Sequence, residues 1–219
     1  MKLNDGSVKI LKNFSSINPS LQFDEGQTLR TISPNRTMMA RAKLPDVVPQ
    51  SFAIYDLSRF LGVMSLFESP ELSFDERVVN IKSPGRAVSY TFADPSTIIT
   101  PPAKEIVIEN VDVTFKLEEA VFAEIMKALG VMSLPDFVIA GENGKLTIRA
   151  TDTKNPSSDT YDVDIDEWSG ADFSAVFKTD NLKLLPGDYD VSLSKVGISH
   201  FSNDTVEYWI SIESNSTFN

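Results

Sequence analysis

Two spacings of apolar residues alternate along this chain, and they alternate in a fixed order. Leu57, Phe60, Leu61 and Met64 recur at i, i+3, i+4 and i+7, which is one face of a helix. An apolar, strand-like start, SFAI, precedes that stretch, and three β-like pieces follow it: ELSFD, VVNIK and AVSYTFA, separated by the turn-forming DER and SPGR. Further on the order returns. EIVIENVDVTF is β-branched and alternating, KLEEAVFAEIMKALG places Leu117, Val121, Ile125 and Leu129 on one helical face, and FVIAG, KLTIRATD and TYDVDID read as strands, with GENGK as a hairpin turn. The hexapeptide LGVMSL closes both helical stretches, at Leu61–Leu66 and Leu129–Leu134, so it marks a repeated unit: strand, helix, three strands.

The remaining quarters fit the same plan. MKL, the helical NDGSVKILKNFSSI, then LQFDE, TLRTIS and MMARAKL make one unit. FSAVFKTD, a short helical NLKLLP capped by Thr179 or Asp180, then DYDVSLS, ISHFS and TVEYWISIE make another. Four βαβββ units predict an α+β architecture with helices gathered on one face of antiparallel sheets. Between the second and third units lies ADPSTIITPPAK, whose Pro95, Pro101 and Pro102 favour an extended connector. The expected division is a domain over residues 1–97, a connector over 98–104 and a second domain over 105–219. So many strands leave edges to be covered, and a ring of chains joined edge to edge would cover them.

Composition narrows the classes. With 219 residues, 42% hydrophobic and 23% charged, the chain buries a sizeable core. It contains no cysteine, which excludes disulfides and thiolate metal sites and suits a reducing cytoplasm. The basic start MKLNDGSVKILKNF has spaced apolar residues and no small-residue cleavage site, so it predicts no signal peptide, and no apolar run is long enough to span a membrane. The formal net charge of −11 argues against nucleic acid if charge is taken only as a sum. Distribution decides instead, because an acidic protein can still turn a basic lining toward DNA.

Several stretches resemble the DNA polymerase sliding clamp, or processivity factor, of T-even-type bacteriophages: MKL at the start, ILKNFSSIN at 10–18, AIYDLSRFLGVMSL at 53–66, ADPST at 93–97, LPGDY at 185–189 and SNSTF at 214–218. AIYDL with FLG, together with ADPST, is the most specific part. The central connector and NPSSDTYDVDIDEW match poorly, so no contact is carried over to them. The resemblance implies the two-domain sliding-clamp fold in a homotrimeric ring, helices lining a central hole and antiparallel sheets outside. Its implied partners are duplex DNA bound without sequence preference, the replicative DNA polymerase docked through a peptide tail, a clamp-loader ATPase and late-transcription factors. The implied place is the cytoplasm of the infected host, with no membrane partner.

The helices supply candidates for the lining. Lys9, Lys12, Asn13 and Ser16 share a face opposite Val8, Leu11 and Phe14. Arg59 and Gly62 lie off the apolar face of the second helix, Lys116, Ala120, Ala123 and Lys127 line up on the third, and Lys183 projects from the fourth, with Lys178 just before it. Glu118, Glu119 and Glu124 oppose a purely basic lining on the third helix. Related clamps take an apolar peptide tail near the connector or a subunit junction. Ile98 and Ile99 are the connector's candidates for that pocket, and Tyr208, Trp209 and Phe218 become candidate walls if the chain end folds back.

Chemistry-bearing motifs are sparse. The single histidine, His200, has no cysteine or second histidine to share a metal with, and GENGK lacks the P-loop spacing. Asp162, Asp164 and Asp166 alternate with Val163 and Ile165, the pattern of a solvated strand face, and DTKNPSSD lacks the glycine of an EF-hand loop. The chain is therefore expected to be no enzyme and to carry no cofactor or metal. Two other readings remain open on residues alone: a phage structural or adaptor protein of repeated β units that never meets DNA, and a hydrolase acting through paired carboxylates.

Overall fold

The computed structural model describes residues 1–104 and 106–219. Glu105, where the second domain is expected to begin, lies outside the described residues. The chain divides into two compact units, Met1–Glu105 with Thr205–Glu207, and Ile106–Asp204 with Tyr208–Asn219.

In the first unit α1 (Asp5–Ile17) is followed by β1 (Leu21–Phe23), β2 (Gly26–Ile32), β3 (Met38–Val48) and β4 (Phe52–Ile54). Then come α2 (Leu57–Met64), β5 (Glu71–Phe74), β6 (Val78–Ser83) and β7 (Arg86–Thr91). Strands pair antiparallel in the orders β4–β1–β2–β3 and β5–β6–β7. Helix α1 starts where Asn4 accepts a hydrogen bond from Gly6 N, and α2 starts where Asp56 accepts one from Arg59 N. α1 packs on β2 and β3 and lies against α2. Its buried face is Ser7, Ile10, Leu11, Phe14 and Ile17; that of α2 is Leu57, Phe60 and Met64. An initial strand at MKL is not formed. Met1 alone exchanges backbone hydrogen bonds with Leu72 of β5, a single bridge in place of a ladder. Asp94 caps a 3-10 turn over Pro95–Thr97, a turn inside a stretch expected to run extended, because proline suits the first position of such a turn.

The second unit holds β8 (Val113–Leu117), α3 (Glu119–Met132), β9 (Asp136–Glu142), β10 (Lys145–Thr151) and β11 (Tyr161–Glu167). β12 (Phe173–Lys178), β13 (Tyr189–Ser194), β14 (Ile198–Ser202), β15 (Val206–Ser211) and β16 (Thr217–Phe218) complete it. Pairing runs β15–β14–β13–β8 and β11–β10–β9–β12–β16. α3 lies over β9, β10 and β11 with Ile125 and Leu129 buried. The GENGK turn has Asn143 and Gly144 at φ 52 and 78, the left-handed pair that a two-residue hairpin demands.

The fourth helix does not form. Only a 3-10 turn, Thr179–Asn181, stands there, and neither Thr179 nor Asp180 caps it. NLKLLP offers too few residues to repay helix nucleation, and Leu185 before Pro186 is sterically biased away from helix. Of the strand predicted across EIVIENVDVTF, the described residues form only β8, which starts at Val113. At the far end, β16 was not anticipated: Phe218 stacks on Phe173 at 5.7 Å and 16°. Beside that pair Trp168 occupies space that exists only because Gly141 and Gly170 have no side chains; a Cβ on either would fall 2.6 Å from the indole. The indole N–H donates to Ala171 O at 3.0 Å.

Candidate nucleic-acid interface

On α1, Lys9, Lys12 and Ser16 are exposed and Asn13 is half-buried, so the basic stripe faces solvent across the helix from the core. Arg59 and Gly62 are exposed on α2, and Ala120, Ala123 and Lys127 on α3. Among the described residues, no carboxylate forms an ion pair with Lys9, Lys12, Arg59 or Lys127. Small residues stand beside these cations: Ser16 on α1, Gly62 on α2, and Ala120 and Ala123 on α3. Lys12 also borders a cleft of about 330 Å³ between the start of α1 and the end of α2, where Lys2 adds another cation.

The acids on α3 are partly diverted. Glu124 accepts a hydrogen bond from the Tyr161 hydroxyl at the β11 edge, and this bond to the carboxylate raises the phenol's pKa. Glu118 provides no side-chain cap; Asp188 does that work from far along the chain, its carboxylate accepting from Glu119 N at 2.8 Å. Nothing local in the sequence signals that cap.

Three expected lining residues do not lie on helices. Lys116 is on strand β8 and not on a helix, opposite Asp190 and beside a hollow with Glu118, Asp188 and Asp204, so its charge is set among carboxylates. Lys178 ends β12 with its ammonium bonded to Asp136, which has no solvent exposure. Burial pushes the Asp136 carboxyl up, but hydrogen bonds from Lys178 and from Thr153 N and Oγ1 outweigh it and hold the group below the ordinary carboxylate range. Lys183 is exposed as expected, on irregular chain after the 3-10 turn and not on a helix.

Among the pocket candidates, Ile98 is half-buried and Ile99 is 42% exposed. The chain end does fold back, yet Tyr208 and Trp209 are core residues. Tyr208 is fully buried against Tyr189, 6.0 Å between rings, and burial drives its phenol well above the usual range. Trp209 stacks on His200 at 4.8 Å, and Phe218 is half-buried on Phe173. Their apolar bulk fills the second unit's core and sheet face, the commoner use of such side chains.

Strand pairing and helix placement are those of a sliding-clamp fold. Solved structures of that fold match nearly the whole chain. The A. fulgidus PCNA bound to the C-terminal region of FEN-1 is similar at TM-score 0.70 and 14% identity, over 99% of this chain and 98% of that one. The Helicobacter pylori beta clamp bound to a DNA ligase peptide is similar at TM-score 0.72 and 13% identity, over 98% of this chain and 65% of that one. The family model for DNA polymerase processivity factor matches residues 5–100, and the one for the gp45 sliding clamp C terminal matches 114–214. The sliding clamp of Vibrio phage KVP40 is 30% identical over 97% of this chain and 99% of its own length. That of Enterobacteria phage T4 is 27% identical over 99% of each. The chain belongs to the phage DNA polymerase processivity factor, or sliding clamp, family. It is an accessory factor of DNA synthesis and not an enzyme, which displaces the adaptor and hydrolase readings.

Proposed function

We propose that three copies close into a ring around duplex DNA and that the ring tethers the replicative polymerase for processive synthesis. The observation that carries this is a pair of open, complementary edges. β7 ends its sheet with Arg86 and no carboxylate, beside Lys82 on β6, while β11 ends its sheet with Asp162, Asp164, Asp166 and Glu167. An unpaired basic edge and an unpaired acidic edge on one chain favour head-to-tail joining of copies, which closes when the rotation allows. Residues 1–97 and 105–219 act as the two clamp domains, with 98–104 as connector.

The hole is lined by Lys9, Lys12, Arg59, Lys127 and Lys183, which touch phosphates weakly and without reading bases, so the ring slides. Lys178 is left out because Asp136 holds its ammonium, and Lys116 because it stands on a strand beside a hollow lined by Glu118, Asp188 and Asp204. A clamp-loader ATPase opens the ring, the polymerase tail docks on the connector at Ile98 and Ile99, late-transcription factors use the same ring, and all of this takes place in the cytoplasm of the infected host.

Light scattering across a dilution series tests the ring: a trimer is expected at the concentrations used with loader, and a monomer throughout would end the proposal. The lining is tested by a Lys9→Ala, Lys12→Ala, Arg59→Ala variant. It is expected to keep the trimer but shorten polymerase products, with the deficit growing with salt; normal product lengths across the salt series would refute it.

A further inference from the structure

The stretch 98–102 has no strand partner among the described residues, and Pro101 and Pro102 supply no backbone N–H for a ladder. Two side chains of its own unit fix its path instead. Asn18, the C-cap of α1 and only 2% exposed, donates from Nδ2 to the carbonyls of Ile32 at 2.9 Å and Ile99 at 3.1 Å. Its Oδ1 accepts from Ser20 N at 2.9 Å and from Ser20 Oγ at 3.1 Å. Both donors and both lone pairs of that amide are therefore in use. Arg30, half-buried on β2, donates from Nη2 to the Pro102 carbonyl at 2.7 Å. A half-buried guanidinium is ordinarily matched to a carboxylate. Among the described residues no carboxylate pairs with Arg30, and its charge-assisted bond goes to the connector backbone.

We infer that Asn18 and Arg30 are positioning residues for partner docking: they pin the carbonyls of Ile99 and Pro102 so that the connector holds one extended shape with the Ile99 side chain turned outward. The inference rests on the reading that the polymerase tail docks on this connector. Pinning matters because a tail that meets a slack segment binds only the fraction of molecules whose connector is in shape, and its apparent affinity falls by that fraction.

The test compares the full chain with its Arg30→Ala, Arg30→Lys and Asn18→Ala variants. The probe is a synthetic peptide copying the C-terminal tail of the phage's own replicative polymerase, bound by anisotropy. Thermolysin cleavage inside residues 97–104 reports connector freedom, with Tm as the folding control. Arg30→Ala is expected to be cut about tenfold faster there and to bind the peptide about tenfold more weakly at unchanged Tm. Arg30→Lys is expected to recover most of both, because an ammonium still reaches the Pro102 carbonyl. Should Asn18→Ala fail to fold, the two Arg30 variants decide alone. Unchanged cleavage and affinity in Arg30→Ala would overturn the inference, as would faster cleavage with unchanged affinity, and either result leaves docking on the connector standing. A wild-type chain that binds no peptide would instead remove the docking reading and the positioning role with it.

Discussion

Asp136 and Lys178 show how one ion pair can withdraw a cation from a surface. They are ladder neighbours on β9 and β12, and the carboxylate is sealed from water while the lysine side chain keeps 31% of its exposure. Because the fold holds this carboxyl below its ordinary value, it stabilises the folded state fully above about pH 4, and the contribution is lost as pH falls through the lower folded value. Asp136→Ala is expected to lose about 3 kcal/mol at pH 7, since Thr153 and Lys178 lose their acceptor together. Urea titrations of both proteins from pH 7 to pH 3 are expected to show the gap narrowing below pH 4. A gap of constant size would mean that the charge contributes nothing. In the sequence both residues look like ordinary surface charges, and only the fold brings them together.

Elements with strong periodicity were legible in advance. α1, α2 and the core of α3 follow from their apolar spacing, and the GENGK hairpin follows from turn chemistry. Lys9, Lys12, Arg59 and Lys127 are exposed as that spacing implied. Marginal pieces were not legible: NLKLLP has helical composition without helical length, and β16 is two residues whose order comes from pairing with β12 and from stacking Phe218 on Phe173. The pins at Asn18 and Arg30 join residues far apart in the chain, so no local pattern announces them. Two glycines test the local readings with opposite signs. Gly62 sits in α2 with open space around its Cβ position, so Gly62→Ala is expected to stabilise by about 0.5–1 kcal/mol. Gly144, at φ 78, is expected to lose about 1 kcal/mol on the same change. Thermal unfolding of the two variants checks both, and effects of one sign would show that backbone conformation is not what separates them.

For the whole molecule, the net charge of −11 is compatible with DNA because of where the acids lie. β11 alone carries Asp162, Asp164, Asp166 and Glu167, and Arg149 and Lys145 hold two of these within the sheet. Asp166 and Glu167 remain exposed, where the proposed ring would bring a second copy. If that copy's β7 meets them, Arg86→Glu is expected to raise the concentration at which the trimer dissociates about threefold per interface, and adding Asp166→Arg to the same chain is expected to restore it. Sedimentation at two salt concentrations would read both shifts, and a single variant that dissociates like wild type would place the junction elsewhere. Trp168 gives this joint an optical consequence. It follows directly on β11 and is half-exposed, whereas Trp209, at 6% exposure, is shielded whatever the assembly does. With Trp209 changed to Phe, indole emission would come from beside the acidic edge alone, and its wavelength maximum is expected to move to the red over the same dilution range in which scattering reports subunit loss. Opening of the ring would then be visible as a change of colour in the unlabelled protein, on the timescale of a stopped-flow mixer.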